Sequence, residues 1–388
     1  MSVTVQREDH FDFLSPEYAD LHAAAGAPVF QHGVWLDRLY RDLAPARGAR
    51  PVVVTVRAAG GELLAVLPLA ISGRVVRTVT AADLGVADYN VPVASRSVLD
   101  ELRLDPTVSR DVRRALGRCD LLTIDRVPDS PDDVLALVDG ARSRRHHYDT
   151  HVVALGPTPE EWRATLDPKF VRHLDRKYKR LRPKGERVLR QVTDVAEVVP
   201  LMERMRAFRA ARFADRRAVD LVQDEATFAF YCAVAEASIR AGGPGRLMVL
   251  EVAGEPVAIA LDLVAPDREL FVLVGYDVER LRNYSLGLLV VDQLAQDAIG
   301  RGTSWFDLTV GDESYKADFG ARPHQLHQVR VCCTLRGRAA LLARDGNLAA
   351  RRAAKRGLAT WQDLRARRTA SKADPAATRD QERAPTSA

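Results

Sequence analysis

The chain has 388 residues, 47% of them hydrophobic and 28% charged, with a formal net charge of +5. These are globular values with room for two domains, and they exclude a wholly disordered or fibrous protein. No stretch approaches the apolar length of a membrane span and the N-terminus MSVTVQREDH lacks a signal-peptide pattern, so a cytoplasmic location is expected. The cysteines Cys119, Cys232, Cys332 and Cys333 lack metal or redox spacing and read as core thiols in a reducing compartment.

Residues 1–27 read as a lead-in broken by Pro16 and Gly26. A first α/β unit is expected over 28–156. It begins with a short amphipathic helix, Trp35 to Leu43, and a hairpin, Pro51 to Ile71, turning at Gly60-Gly61. Short strands follow through Val75-Val76 and into LGVADYNVPV. A helical stretch (Val98 to Leu116), a strand (Leu121 to Ile124), a helix (Asp132 to Arg145) and a strand (Val152 to Leu155) complete the unit.

The run Gly156-Pro157-Thr158-Pro159 marks a junction to a second unit over 157–335. That unit opens with a basic helix in DPKFVRHLDRKYKRLRPKG, stopped by Pro183 and Gly185. A strand from Arg187 to Val192 leads into helices Ala196 to Phe213 and Glu225 to Ala241, and then a hairpin turning at Gly254. The two hairpins echo each other, which suggests an internal duplication. Beyond Leu335 a basic, Ala-rich segment keeps helical pattern over 336–369, and the polar tail 370–388 reads as disordered.

The stretch from Glu269 to Gly320 carries the strongest chemistry. The apolar run Leu270 to Val274 reads as a buried strand ending at Gly275. A helix from Leu286 to Ile299 follows, with Leu288, Val291, Leu294, Ala295 and Ile299 at helical spacing, and then a strand from Trp305 to Leu308. The turn Arg282-Asn283-Tyr284-Ser285-Leu286-Gly287 lies where the first amides of the helix have no intrahelical partner. Such amides bind phosphate, and small residues let the backbone approach it.

R-x-x-S-x-G after a strand resembles the pyrophosphate loop of GNAT-type acetyltransferases, with Ser285 in place of the usual first glycine. The block WFDLTVGDESYKADFGA is similar to the one closing the GNAT proteins linked to cellulose and exopolysaccharide biosynthesis, relatives of the Fem-type peptidyltransferases. The resemblance runs roughly from Phe30 to Leu335. It implies tandem GNAT-like α/β domains, each a mixed central sheet flanked by helices, with acetyl-CoA (or another acyl-CoA) held by Arg282, Asn283, Tyr284, Ser285, Leu286 and Gly287. The implied activity is N-acyl transfer to an amine, such as an amino sugar or a cell-envelope or polysaccharide precursor.

Acyl transfer needs a neutral amine, a stabilised oxyanion and a proton for the leaving thiolate. Tyr315 is the candidate acid, with a core aromatic as the bland reading. Lys316 is a candidate for an anionic group of the acceptor, or a solvated lysine. Asp307, Asp312 and Glu313 are the carboxylates on hand for the amine proton, and Asp312-Glu313 read equally as helix-capping residues, leaving Asp312 a substrate-binding candidate. Asp88-Tyr89 matches the S/A-D-Y of the family and is expected to shape an acceptor cleft, or to cap a turn. His324 and His327 lack partners for a metal site, so no metal is expected. The basic helix is most simply a solvated face, and a phosphate-bearing acceptor or RNA is the sharper reading. With no interleaved aromatics and no nucleic-acid motif, nucleic acid is an unlikely partner. Under the rival reading of an aminoacyl-tRNA-dependent Fem-type transferase the helix would meet tRNA. A non-catalytic module of the same fold holding an anionic ligand is the third reading.

Overall fold

The computed structural model describes residues 2–128, 130–214 and 220–346. In chain order the first half contains β1 (Val3–Glu8), α1 (Pro16–Ala25), α2 (Gly33–Arg38), α3 (Ala44–Ala46), β2 (Arg50–Ala58), β3 (Leu63–Ser72), β4 (Thr78–Ala81), α4 (Arg96–Leu104), α5 (Pro106–Ala115), β5 (Leu121–Pro128), α6 (Asp132–Leu137) and β6 (Arg142–Ala154). The second half contains α7 (Pro159–Ala164), α8 (Pro168–Leu181), β7 (Arg187–Gln191), α9 (Val198–Phe213), α10 (Glu225–Ala241), β8 (Gly245–Val252), β9 (Glu255–Val264), β10 (Arg268–Tyr276), α11 (Leu286–Gly300), β11 (Trp305–Val310), α12 (Tyr315–Asp318) and β12 (Arg322–Cys332).

All twelve strands form one sheet in the order β1-β2-β3-β4-β5-β12-β6-β11-β10-β9-β8-β7. Read from either edge, three antiparallel pairings are followed by one parallel pairing and one antiparallel pairing, up to a central antiparallel β12–β6 pair. The order is a palindrome. The hairpins β2–β3 and β8–β9 occupy matching places in it. The strands that close each half are exchanged: β6 pairs with β11 and β12 with β5. The units expected at 28–156 and 157–335 therefore share a sheet.

Both hairpins are apolar without alternation because both faces of the sheet are covered. Val53 and Val66 belong to a core shared by both halves, with Phe30, Trp35, Met205, Phe230 and Leu270. Val52, Val54 and Val56 point the other way, into a first-half core with Leu99, Leu102 and Val112. On that second face the later half has its own core, where Leu289, Leu294 and Phe306 meet Trp162 and Leu174.

Three local readings are corrected. Residues 1–27 are not a loose lead-in. They supply edge strand β1, paired with β2, and α1, capped by the Ser15 hydroxyl. The helix expected from Asp132 to Arg145 stops at Leu137. Gly140 turns at φ 70, and the 13-residue β6 then fills the middle of the sheet, so pairing with two neighbours overrides a helical pattern. LGVADYNVPV is a loop attached by one bridge, Val66 to Val93, and Val75 stands 81% exposed in a turn. Residues 335–346 are helical. The rest of the basic segment and the tail lie outside the described residues.

Candidate functional site

β10 and β11 run parallel but pair only at Arg268–Leu270 against Trp305–Asp307, although both continue further. Both strands bulge where they part: β10 shifts register against β9 between Phe271 and Leu273, and β11 bulges against β6. The register of β11 passes from Asp307 opposite Val152 to Val310 opposite Thr150, and Thr309 takes a left-handed φ of 59. On the β10 side, α9 crosses so close that a Cβ on Gly275 would lie 2.5 Å from the Met205 carbonyl oxygen. α9 also brings two arginines. Arg209 donates to the Val274 carbonyl at 2.9 Å and pairs with Asp220 at 2.8 Å, and Arg212 lies over the Tyr276 ring at 5.0 Å.

The turn before α11 opens into this divergence. Ser285 sits at φ 56, ψ 43, the left-handed conformation that glycine takes freely and that costs a residue with a Cβ about 1–2 kcal/mol. Its side chain makes no cap, so the first amides of α11 stay available to a ligand. Gly287 answers a different need: a Cβ there would meet the Tyr276 ring at 3.0 Å. Arg282, Ser285, Leu286 and Gly287 line a cleft of about 340 Å³ with Arg212, Phe271, Tyr276 and Tyr315. Asn283 and Tyr284 face α8 instead. The Asn283 carbonyl accepts from Lys177 at 3.1 Å, and Arg180 lies 5.4 Å from the Tyr284 ring centre.

Tyr315 enters the cleft from α12. Burial, followed by the nearby Glu313 charge, pushes its hydroxyl above the ordinary phenol range, so it remains a proton donor at neutral pH. Lys316 points the other way. It is 1% exposed, and its ammonium donates to the carbonyls of Thr309 at 3.0 Å and Gly311 at 3.2 Å and pairs with Glu313 at 3.2 Å. So enclosed, Lys316 braces the bulged end of β11 and presents no open surface to an acceptor. Asp312 and Glu313 are exposed, and neither caps α12, whose N-cap residue is Ser314.

Behind the divergence the two halves meet in a polar junction. Asp307 is fully buried; Tyr89 donates to it at 2.6 Å, the Thr309 amide at 2.8 Å, Thr150 at 3.3 Å and Arg268 at 3.4 Å. Burial raises its pKa, opposed chiefly by the Tyr89 hydrogen bond. With its oxygens so engaged, Asp307 holds the junction together and has no open path to an amine. Asp88 beside it pairs with Arg126 at 3.2 Å and keeps 22% of its side chain open. Burial raises its pKa as well, while Arg126 lowers it, Asp307 raises it and Lys316 lowers it.

Thus Asp88 and Tyr89 of the first half join Asp307, Thr309 and Lys316 of the second. Arg126, Thr150, Arg209, Arg212, Lys177 and Arg180 complete the site and had no motif to mark them. His324 lines a separate hollow of about 380 Å³ near Arg268. Among the described residues no acidic, histidine or cysteine group is arranged to hold a metal, and no helix is long and apolar enough to cross a membrane.

Residues 168–317, from α8 through most of α12, match the family model of the acetyltransferase (GNAT) domain. No curated protein matches the chain in sequence. Solved structures share the fold at low identity. A FemX structure is 10% identical, with TM-score 0.59 over 85% of this chain and 97% of that one. A conserved protein of unknown function from Bacteroides thetaiotaomicron is 12% identical, with TM-score 0.53 over 84% and 100%. L-PGS from Bacillus licheniformis is 14% identical, with TM-score 0.52 over 85% and 96%. The fold is thus a mixed α/β fold with a large open sheet flanked by helices, and it contains a GNAT domain.

Proposed function

We propose that the protein is an acyl-CoA-dependent N-acyltransferase built from two duplicated GNAT-like units, 28–156 and 157–335. The later unit takes the donor, and the earlier one closes the acceptor site. One observation carries this reading: the left-handed, uncapped turn at Ser285 and the half-buried Tyr315 open onto one cleft where β10 and β11 part.

In this reading the CoA pyrophosphate rests on the first amides of α11, with Arg282 adding charge, and the acyl-pantetheine arm lies in the wedge between the strands. The acceptor amine approaches past Asp88. Its nitrogen forms a bond to the thioester carbon, its proton passes to the Asp88 carboxylate directly or through water, and the C–S bond breaks. Tyr315 gives its phenolic proton to the departing thiolate and regains one from solvent. Asp307 and Lys316 position rather than react: one fixes Tyr89 and the bulge, the other the end of β11. An amino sugar or another envelope precursor amine is the acceptor class suggested by the family resemblance.

Calorimetry with acetyl-CoA tests the donor, and CoA release across a panel of amino sugars and amino acids tests the acceptor. Saturable acetyl-CoA binding is expected, and its absence sinks the reading. Aminoacyl-tRNA as donor is the second reading, favoured by the basic residues of α8 at the mouth of the cleft. Bulk tRNA binding without acetyl-CoA binding would replace the first reading with it. Acetyl-CoA binding without transfer to any amine would favour a non-catalytic module.

A further inference from the structure

α8 is the most basic element among the described residues, and the sequence PKFVRHLDRKYKRL by itself reads most simply as a solvated face. Its packing adds a reason for the charge. His173, Lys177 and Arg180 stand at i, i+4 and i+7, one stripe of the helix, and Arg176 borders it. That stripe lies against the turn before α11: Lys177 holds the Asn283 carbonyl at 3.1 Å and Arg180 covers the Tyr284 ring at 5.4 Å. Asn283 and Tyr284 immediately precede Ser285, where the cleft begins. Three positive side chains, Lys177, Arg180 and Arg282, therefore converge beside the first turn of α11. Lys177 is half-buried, while Arg180 and Arg282 are exposed. Neither Arg180 nor Arg282 has an acidic partner among the described ion pairs, and Asp175, the acidic residue of α8, pairs with Arg163 of α7 at 2.9 Å.

One pyrophosphate on the α11 amides does not require this charge. CoA carries a third phosphate on the ribose 3′ oxygen, one sugar ring away from the pyrophosphate. Asn283 and Tyr284 lie one or two residues from Ser285, at most about 7 Å of chain, so the α8 stripe stands at the right scale from the amides to meet a second phosphate. We propose that Lys177 and Arg180 of α8 form the subsite for the 3′-phosphate of the donor, making the protein selective for CoA thioesters over nucleotide donors that lack this group. The inference rests on the acyl-CoA reading above and adds to it the part of the donor that α8 recognises.

The test compares CoA with dephospho-CoA by calorimetry on the full chain. Wild type should bind CoA about tenfold more tightly, the gain of one charge-assisted phosphate contact. The preference should weaken as salt is raised, because these charges are partly exposed. In Arg180→Gln, and independently in Lys177→Ala, the ratio of CoA to dephospho-CoA affinity should fall towards one, whatever smaller change both ligands share. Circular dichroism and the thermal midpoint show that the variants fold. Equal affinities in wild type, or undiminished preference in both variants, overturns the subsite and leaves the acyl-CoA reading standing. Failure of both ligands to bind wild type overturns the donor reading and the subsite together.

Discussion

Ile124 in the first half and Asp307 in the second stand at matching places, each just before a two-residue bulge whose second residue is left-handed: Arg126 at φ 57 and Thr309 at φ 59. The backbone does the same thing twice, and the side chains differ. Ile124 goes into an apolar core, whereas Asp307 is buried against Tyr89, Thr150 and Arg268. The segments after β4 and β10 differ in the same sense. After β10 a short turn delivers uncapped helix amides to a cleft. After β4 a loop runs across to the other half and places Asp88 and Tyr89 beside Asp307. One half carries a left-handed, uncapped turn at a cleft, and the matching segment of the other packs across the sheet against Asp307.

The largest effect should come from making the halves alike in the wrong direction. Ile124→Asp buries a carboxylate with no Tyr89 or Thr150 to receive it, and should destabilise by at least about 4 kcal/mol. Urea unfolding measures it, and a mild loss would show that the first-half core is wetter than its packing indicates.

Next, Tyr315→Phe should lower turnover by about 10²–10⁴-fold with acetyl-CoA affinity unchanged, since the hydroxyl matters as the thiolate leaves. Full turnover would return Tyr315 to the role of a core aromatic.

Tyr89→Phe should cost about 1–3 kcal/mol, because it strips a donor from a buried carboxylate. It should also change the pH profile. Asp307 has a raised folded pKa, so its stabilising contribution is full below the unfolded carboxylate value and is lost as pH rises through the folded one. Removing Tyr89 raises that folded value further, so more stability should be lost by neutral pH than in wild type. Unfolding free energies from acidic to neutral pH that run parallel in the two proteins would contradict this.

The smallest effect is expected from Ser285→Gly. Relief of the left-handed strain and the greater freedom of the unfolded chain oppose each other, so stability should move by no more than about 1 kcal/mol. Acetyl-CoA affinity should hold. A marked loss would mean that the Ser285 hydroxyl itself touches the donor.

The hairpins, the strand–turn–helix around Ser285 and the long helices α9, α10 and α11 were legible in the sequence, because local patterning and the stops at Gly254 and Gly275 dictate them. The palindromic order makes structural sense of the echo between the hairpins. What was misread was decided across the sheet. Residues 142–145 were read as the end of a helix, yet they begin β6, which runs on to Ala154 because β11 and β12 both pair with it. Val3–Glu8 becomes an edge strand because β2 offers it a partner.

The site divides in the same way. The sequence by itself determined a small-residue turn ahead of an apolar helix, and a tyrosine one short strand later, because phosphate-binding amides and a positioned phenol depend on residues close together in the chain. Only the tertiary structure decided that Lys316 turns inward to hold carbonyls and that Asp307 is spent on Tyr89. It alone brought Asp88, 219 residues before Asp307, to the divergence of β10 and β11, with part of its side chain left open. The physical reason is that a carboxylate's role follows from its burial and its partners, and those are set by which chain segments the sheet lays side by side.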